Sequence, residues 1–286
     1  METKIASVTR EVVIGDNRPT VLIGERINPT GKKKLAAALQ AGDMELLVKE
    51  AVAQVKAGAD ILDVNVGVVG VDQVALLPRA VSAVMEAVDV PLCIDSDNTQ
   101  ALEAALKVYK GKALVNSVSG EERLLAERLP LIKEYGAAVI GLVQDDEGVP
   151  TDSERRVAIA HRIVERAEAA GIPREDVVID CLAFAIGADT GSGITLLDTI
   201  RRIRNELGVN MTMGASNVSF GMPDRDLLNN AFIATVIVTG ATCLIVDVAR
   251  VRPTVLAIDL VLGRDQHARR YTQAYRERQR AQTLAA

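Results

Sequence analysis

Aromatic side chains are almost missing from this chain: 286 residues include no tryptophan, three phenylalanines and four tyrosines. A core of any size must therefore be built from Ala, Val, Ile and Leu, which suits a β/α barrel interior without selecting it. Histidine is equally scarce. His161 and His267 both fall in helical patterns, so neither a histidine-based triad nor a two-histidine metal site is plausible, and no metal ligand set is assigned. The three cysteines, Cys93, Cys181 and Cys243, lie far apart inside apolar runs. That placement suits reduced core thiols, not a disulfide framework or a paired-cysteine metal site. No basic surplus exists: the net charge is −5 and the pI about 5.3, which speaks against a nucleic-acid partner. No apolar run reaches membrane-spanning length, and METKIASVTREVV at the N-terminus lacks the apolar stretch of a signal peptide. The expectation is a soluble, cytoplasmic protein without a membrane partner.

What is present is an alternation. Residues 1–18 read as an irregular or hairpin lead-in. Apolar strand patterns then fall at 20–28, 59–67, 91–96, 113–120, 137–144, 176–182, 210–217 and 243–248. Helical patterns occupy 43–57, 71–88, 98–109, 121–135, 152–170, 193–207, 223–239 and 254–263, and a charged helix follows at 265–282. Eight strand–helix units predict parallel pairing. Eight is the count of a closed (β/α)8 TIM barrel, whereas open doubly wound sheets usually carry fewer strands, and no GxGxxG follows the first strand. The fold class expected is α/β: one barrel domain over 1–286, its core at about 20–265, with a C-terminal helical extension.

Polar residues close the strands, where a barrel keeps its active site. The stretch PLCIDSDNT (91–99) sets the pattern: apolar Leu92, Cys93 and Ile94 run into Asp95, Ser96, Asp97 and Asn98. Asp97 or Asn98 serves equally well as the cap of the next helix. Asp95 is harder to dismiss, because an unpaired carboxylate at the end of a buried strand is costly. Asn28, Asp63, Asn65, Asn116, Ser117, Gln144, Asp180, Asn217 and Asp247 occupy comparable places. Asp63 and Asn65 read alternatively as loop-ordering residues, Gln144 as a loop residue, and Asp247 as a partner for Arg250 or Arg252. No strand tip offers a lysine or histidine, which removes an obvious Schiff-base lysine, and phosphate cradles are weak. Clustered carboxylates suit a divalent cation. Mixed with carboxamides, they better suit a neutral planar heterocycle, whose amino-amidine edge gives a carboxylate two parallel N–H bonds.

The strings IGERIN (23–28), ILDVNVG (61–67), CIDSDN (93–98), LVNSVSGE (114–121), VIGL (139–142), VVID (177–180) and GASNVSFGMPDR (214–225) resemble the pterin-binding methyltransferases. These include the methyltetrahydrofolate:corrinoid protein methyltransferases and the folate domain of cobalamin-dependent methionine synthase. The resemblance runs from about 20 to 265. It implies methyl transfer between methyltetrahydrofolate or tetrahydrofolate and the cobalamin (corrinoid) cobalt of a partner protein, in an undetermined direction, by a homodimer. By the same resemblance Asp95, Asn116 and Asp180 bind the pterin ring, Asp180 at its amino-amidine edge, and Asn217 reaches the methyl-bearing nitrogen as the catalytic residue. Asp63 and Asn65 support the ring pocket, and Ser117 falls in a matching motif. Dihydropteroate synthase, with different chemistry in the same barrel, is the alternative kept open by Arg250 and Arg252. A non-catalytic folate-binding subunit of a corrinoid complex is another.

Overall fold

A computed structural model of the chain describes residues 1–285. The lead-in is an antiparallel hairpin of β1 (Glu2–Ala6) and β2 (Glu11–Gly15). Eight parallel strands follow: β3 (Val21–Ile27), β4 (Ile61–Asn65), β5 (Leu92–Asp95), β6 (Leu114–Ser119), β7 (Ala138–Leu142), β8 (Val177–Asp180), β9 (Asn210–Thr212) and β10 (Cys243–Val246). Neighbours in sequence are neighbours in the sheet, and β10 pairs with β3. The ring closes irregularly between β9 and β10. There Thr242 N donates to Met211 O at 3.1 Å and Ile245 N to Met213 O at 3.0 Å, without a regular ladder. The expected α/β barrel is therefore the observed fold.

Among the described residues ten α-helices accompany the strands: α1 (Lys33–Gln40), α2 (Glu45–Ala57), α3 (Gln73–Ala87), α4 (Thr99–Val108), α5 (Glu122–Glu134), α6 (Ser153–Ala169), α7 (Ser192–Glu206), α8 (Arg225–Thr239), α9 (Val248–Val261) and the terminal α10 (Arg269–Ala285), which packs on α9. Local chemistry explains several boundaries. Asn98 accepts from Gln100 N at 2.9 Å and Ala101 N at 3.1 Å, so this residue is the cap of α4 and not a pocket group. Gly58 ends α2 at φ +99°, and a Cβ there would sit 2.3 Å from the Arg252 guanidinium.

Three sequence expectations shift. The strand expected over 210–217 stops at Thr212, because Ala215–Ser219 winds into a 3-10 helix. The helix expected at 254 starts at Val248, since Pro253 falls within its second turn and does not delimit it. Helix α1 was not foreseen; only Leu35 and Leu39 on its eight residues are buried, too little for a clear apolar period.

Two apolar layers result. One lies between the strands and the helices. The other fills the lower lumen with Val21, Ile23, Ile61, Cys93, Leu114, Ile140 and Cys243, joined by Ile5 and Ile14 of the hairpin. The hairpin thus plugs the end of the barrel where the strands begin. Ile5 and Ile14 are fully buried, each worth about 1.5–3 kcal/mol relative to exposure. Asn210 Nδ2 pins the plug through Thr3 Oγ1 at 2.8 Å and Ile14 O at 3.1 Å.

Candidate active site

Strand periodicity builds the site. Side chains two residues apart share a face, so the lumen face that begins with apolar groups continues upward to polar ones. Ile23 leads to Glu25, Ile61 to Asp63, Cys93 to Asp95, Leu114 to Asn116 and Val178 to Asp180. On β7 the same step reaches Leu142, partly buried against the inner core. Gln144 lies beyond that strand, and its backbone carbonyl accepts from Gly120 N at 2.7 Å.

A cavity of about 420 Å³ opens above this layer, lined among others by Glu25, Lys32, Asp63, Asp95, Asn116 and Asn217. Asn116 Nδ2 donates to Asp63 Oδ1 at 3.1 Å, and Asn65 Nδ2 donates to Asp95 Oδ2 at 2.8 Å. Asn65 Oδ1 also accepts from Gly67 N at 2.7 Å, so this side chain both orders its loop and orients Asp95. Asp180 is buried at the end of β8, where Leu182 N donates to its Oδ1 at 2.7 Å. Asn217 sits on the 3-10 turn and not on a strand. Its amide packs over Gly214, where a Cβ would stand 2.9 Å from Nδ2. Asn65, Ser117 and Asp180 are not among the residues lining the cavity; the Ser117 carbonyl is held from behind by Arg128. Asp247 lies between Arg250, at 3.6 Å, and Arg26, at 3.8 Å. Arg252 instead donates to Ala57 O.

Burial dominates the electrostatics. It lifts the Asp63 carboxyl well above its ordinary value, the Asp95 charge adds to this, and the Asn116 amide opposes it. Burial raises Asp95 to about 6 against the Asn65 hydrogen bond. It raises Asp180 to about 7, partly offset by Leu182 N–H. Glu25 is raised by burial, countered by the Ser216 hydroxyl at 2.8 Å and reinforced by Asp247. The site therefore offers carboxyls that gain by meeting N–H donors, beside carboxamides able to donate and accept. Groups of at least three His, Cys, Asp or Glu arranged to hold a metal ion are absent among the described residues.

The expectation of a mouth without lysine is corrected. Lys32 lines the cavity because a turn after β3 folds the chain back: Thr30 N donates to Asn28 Oδ1 at 2.9 Å and Lys32 N to Pro29 O at 2.9 Å. Its ammonium donates to Arg26 O at 2.8 Å and Glu25 O at 3.4 Å, and burial, then Arg26, lowers its pKa. Turn chemistry in NPTG was the available signal.

Two buried arginines behind the strand ends were also missed. Arg128 of α5 donates to Ser117 O at 2.6 Å, Ser96 O at 3.2 Å and Asp97 O. Arg156 of α6 donates to Pro150 O at 2.8 Å, Cys181 O at 3.2 Å and Leu182 O at 3.3 Å. Arg128 thereby fixes backbone next to Asp95 and Asn116, and Arg156 fixes the backbone after Asp180, where Leu182 stands at φ +55° and donates its N–H to the Asp180 carboxylate. Their sequence signal is position. Arg128 shares a helical stripe with Leu125, Leu129 and Ile132, and Arg156 one with Ala160 and Ile163.

Comparison with known proteins adds independent findings. The family described as pterin binding enzyme matches residues 24–247. The methylcorrinoid:tetrahydrofolate methyltransferase of Eubacterium limosum is 31% identical over 265 residues, covering 90% of this chain and 96% of that protein. Methionine synthase of Mycobacterium tuberculosis is 30% identical over 265 residues; the match covers 88% of this chain but only 22% of that protein. Among solved structures, Yersinia pestis dihydropteroate synthase with a pterine-sulfa conjugate aligns at a TM-score of 0.71 and 18% identity, covering 92% of this chain and 99% of that one. Xanthomonas albilineans dihydropteroate synthase with 7,8-dihydropteroate aligns at 0.67 and 19%, covering 91% and 98%. At such identity these structures show the fold alone.

Proposed function

The chain belongs to the pterin-binding enzyme family, and from that premise we propose that it is a methyltransferase acting between tetrahydrofolate and the cobalt of a corrinoid carried by a separate protein. The observation that carries this reading is one cavity joining Asn217 to Asp63, Asp95 and Asn116. The relative from Eubacterium limosum is named for transfer from methylcorrinoid to tetrahydrofolate, which favours that direction. From methionine synthase only the folate-handling part carries over, since the match spans 22% of that protein.

In this reading Asp180 accepts two N–H bonds from the amino-amidine edge of the pterin, while Asp95 and Asn116 bind the remainder of the ring. Asp63 and Asn65 hold those groups through the hydrogen bonds described above. Asn217 hydrogen-bonds the nitrogen that gains or loses the methyl group, a contact that strengthens as charge develops there. The corrinoid is a substrate presented at the open mouth, and its cobalt supplies or accepts the methyl group. A homodimer belongs to the same proposal and is checked by light scattering.

Dihydropteroate synthase chemistry is less well supported. Arg250 is engaged by Asp226 at 2.9 Å and by Asp247, and Arg252 by a backbone carbonyl, so neither stands ready for an anionic substrate. The deciding experiment is anaerobic and follows the cobalt spectrum. Protein is mixed with methylcob(III)alamin and tetrahydrofolate, then with cob(I)alamin and methyltetrahydrofolate. Methyl exchange is expected. Tight tetrahydrofolate binding without exchange, also when a native corrinoid protein replaces free cobalamin, would leave a folate-binding subunit instead.

A further inference from the structure

Methyl transfer to a secondary amine nitrogen leaves one proton too many, and the reverse reaction needs one supplied. Asn217 is a carboxamide and cannot take it. Glu25 lies on the lumen face of β3 and lines the same cavity as Asn217. Ser216, the residue before Asn217, donates its hydroxyl to Glu25 Oε1 at 2.8 Å. Because that hydroxyl proton is directed at the carboxylate, the lone pairs of Ser216 Oγ remain to accept from a donor in the cavity. A donor–acceptor chain thus runs from the cavity to a largely buried carboxyl.

The geometry points to Glu25 as the proton store for the folate nitrogen, reached through the Ser216 hydroxyl; this rests on the methyltransferase reading. In the methyl-accepting direction the nitrogen bonds the methyl carbon as the carbon–cobalt bond breaks, and that bond's electron pair stays with cobalt. The cationic nitrogen gives its proton to Ser216 Oγ, whose own proton passes to Glu25 Oε1. The reverse sequence returns a proton to the nitrogen and makes the amine a competent leaving group. No further oxidant or reductant enters.

The surroundings favour the protonated form of this carboxyl over that of a solvated one. Burial and Asp247 raise the Glu25 carboxyl, while Ser216, Lys32 and Arg26 lower it. Asp63 faces it from β4, and Arg225 from α8 lines the same cavity. A proton store of this kind typically contributes about 10²–10⁴ in rate.

The test uses Glu25→Gln and Ser216→Ala in the full chain, with tetrahydrofolate, methyltetrahydrofolate and free cobalamin as probes. Single-turnover methyl transfer from methylcob(III)alamin is expected to fall about 10²-fold in Glu25→Gln, with tetrahydrofolate affinity held within about threefold by calorimetry. The wild-type rate should rise with pH through one ionisation in this direction and fall through it in the other; the variant should lose that limb. Calorimetry of methyltetrahydrofolate binding in two buffers of different ionisation heat gives a readout independent of turnover. Wild type should show proton exchange that Glu25→Gln lacks. Ser216→Ala keeps the carboxyl and should slow transfer while leaving the proton exchange in place. Rates within twofold of wild type and an unchanged pH profile in both variants overturn the inference, yet leave the methyltransferase reading standing. Absence of transfer in the wild type removes that reading itself.

Discussion

Replacing Asp180 by asparagine preserves shape and removes charge at the buried position proposed above to meet the amino-amidine edge of the pterin. Asp180 is buried, and its folded-state value is about 7 against an ordinary 3.8. A carboxyl raised in this way contributes its full stability below the unfolded value, and that contribution is lost as pH rises through the folded one. Each pH unit between the two corresponds to about 1.36 kcal/mol, so ionisation costs the empty protein on the order of 4 kcal/mol at high pH. Roughly 2–3 kcal/mol of this arrives between pH 5 and pH 8. Urea titrations across that window should therefore show the wild type losing stability with pH, and Asp180→Asn losing about 2–3 kcal/mol less. Ligand binding runs the other way. Two N–H donors from a pterin edge favour the ionised form, so wild-type tetrahydrofolate affinity should weaken by up to about tenfold per pH unit below 7. Asparagine turns one acceptor into a donor facing donors, and the loss of charge-assisted bonds should weaken binding on the order of 10²-fold at pH 8. Parallel stability curves for the two proteins, or unchanged affinity by calorimetry, would refute the reasoning.

Asn217→Ala should lower single-turnover methyl transfer by about 10²–10³ with a much smaller change in tetrahydrofolate affinity; equal losses in both would reject a transition-state role. Arg156→Met leaves the Pro150, Cys181 and Leu182 carbonyls without their donor. At about 1–3 kcal/mol per unsatisfied buried group, denaturant titration should register at least ~3 kcal/mol of destabilisation, partly restored in Arg156→Lys. Gly24→Ala places a Cβ 2.4 Å from Gln54 Oε1, the acceptor for Arg26 N, and should cost about 1–3 kcal/mol; a thermal midpoint equal to wild type counts against that close packing.

The barrel was readable because each strand–helix unit repeats one pattern, and the parity of each strand already implied which polar residues face the lumen. Asp63, Asp95, Asn116 and Asp180 all follow from that two-residue step. Asn217 occupies the cavity for a different reason. Apolar Met211 and Met213 suggest an extended strand, yet Gly214 permits a close turn and the chain winds into a 3-10 helix before the asparagine. Lys32 escaped notice because its position depends on a turn, which decouples distance along the chain from distance in space. The two buried arginines broke the expectation that charge lies outside. Neither has a carboxylate partner among the described residues; carbonyl oxygens satisfy them instead. Ser117 illustrates the opposite outcome, since its side chain carried the motif match while its backbone carbonyl makes the contact.

The hairpin seated beneath the barrel has a kinetic corollary. With Ile5 and Ile14 filling the lower end, the lumen is, among the described residues, a chamber closed at the end where the strands begin. Under the proposed function the small ligand would travel to the chamber's floor, while a macromolecule bearing the cobalt would cover the threshold. Steady-state kinetics should accordingly show compulsory order, folate entering first and leaving last. An excess of the cobalt-bearing protein should inhibit by closing an empty chamber. Initial-rate plots should converge to a common point instead of running parallel, because the methyl group crosses while both reactants are in place.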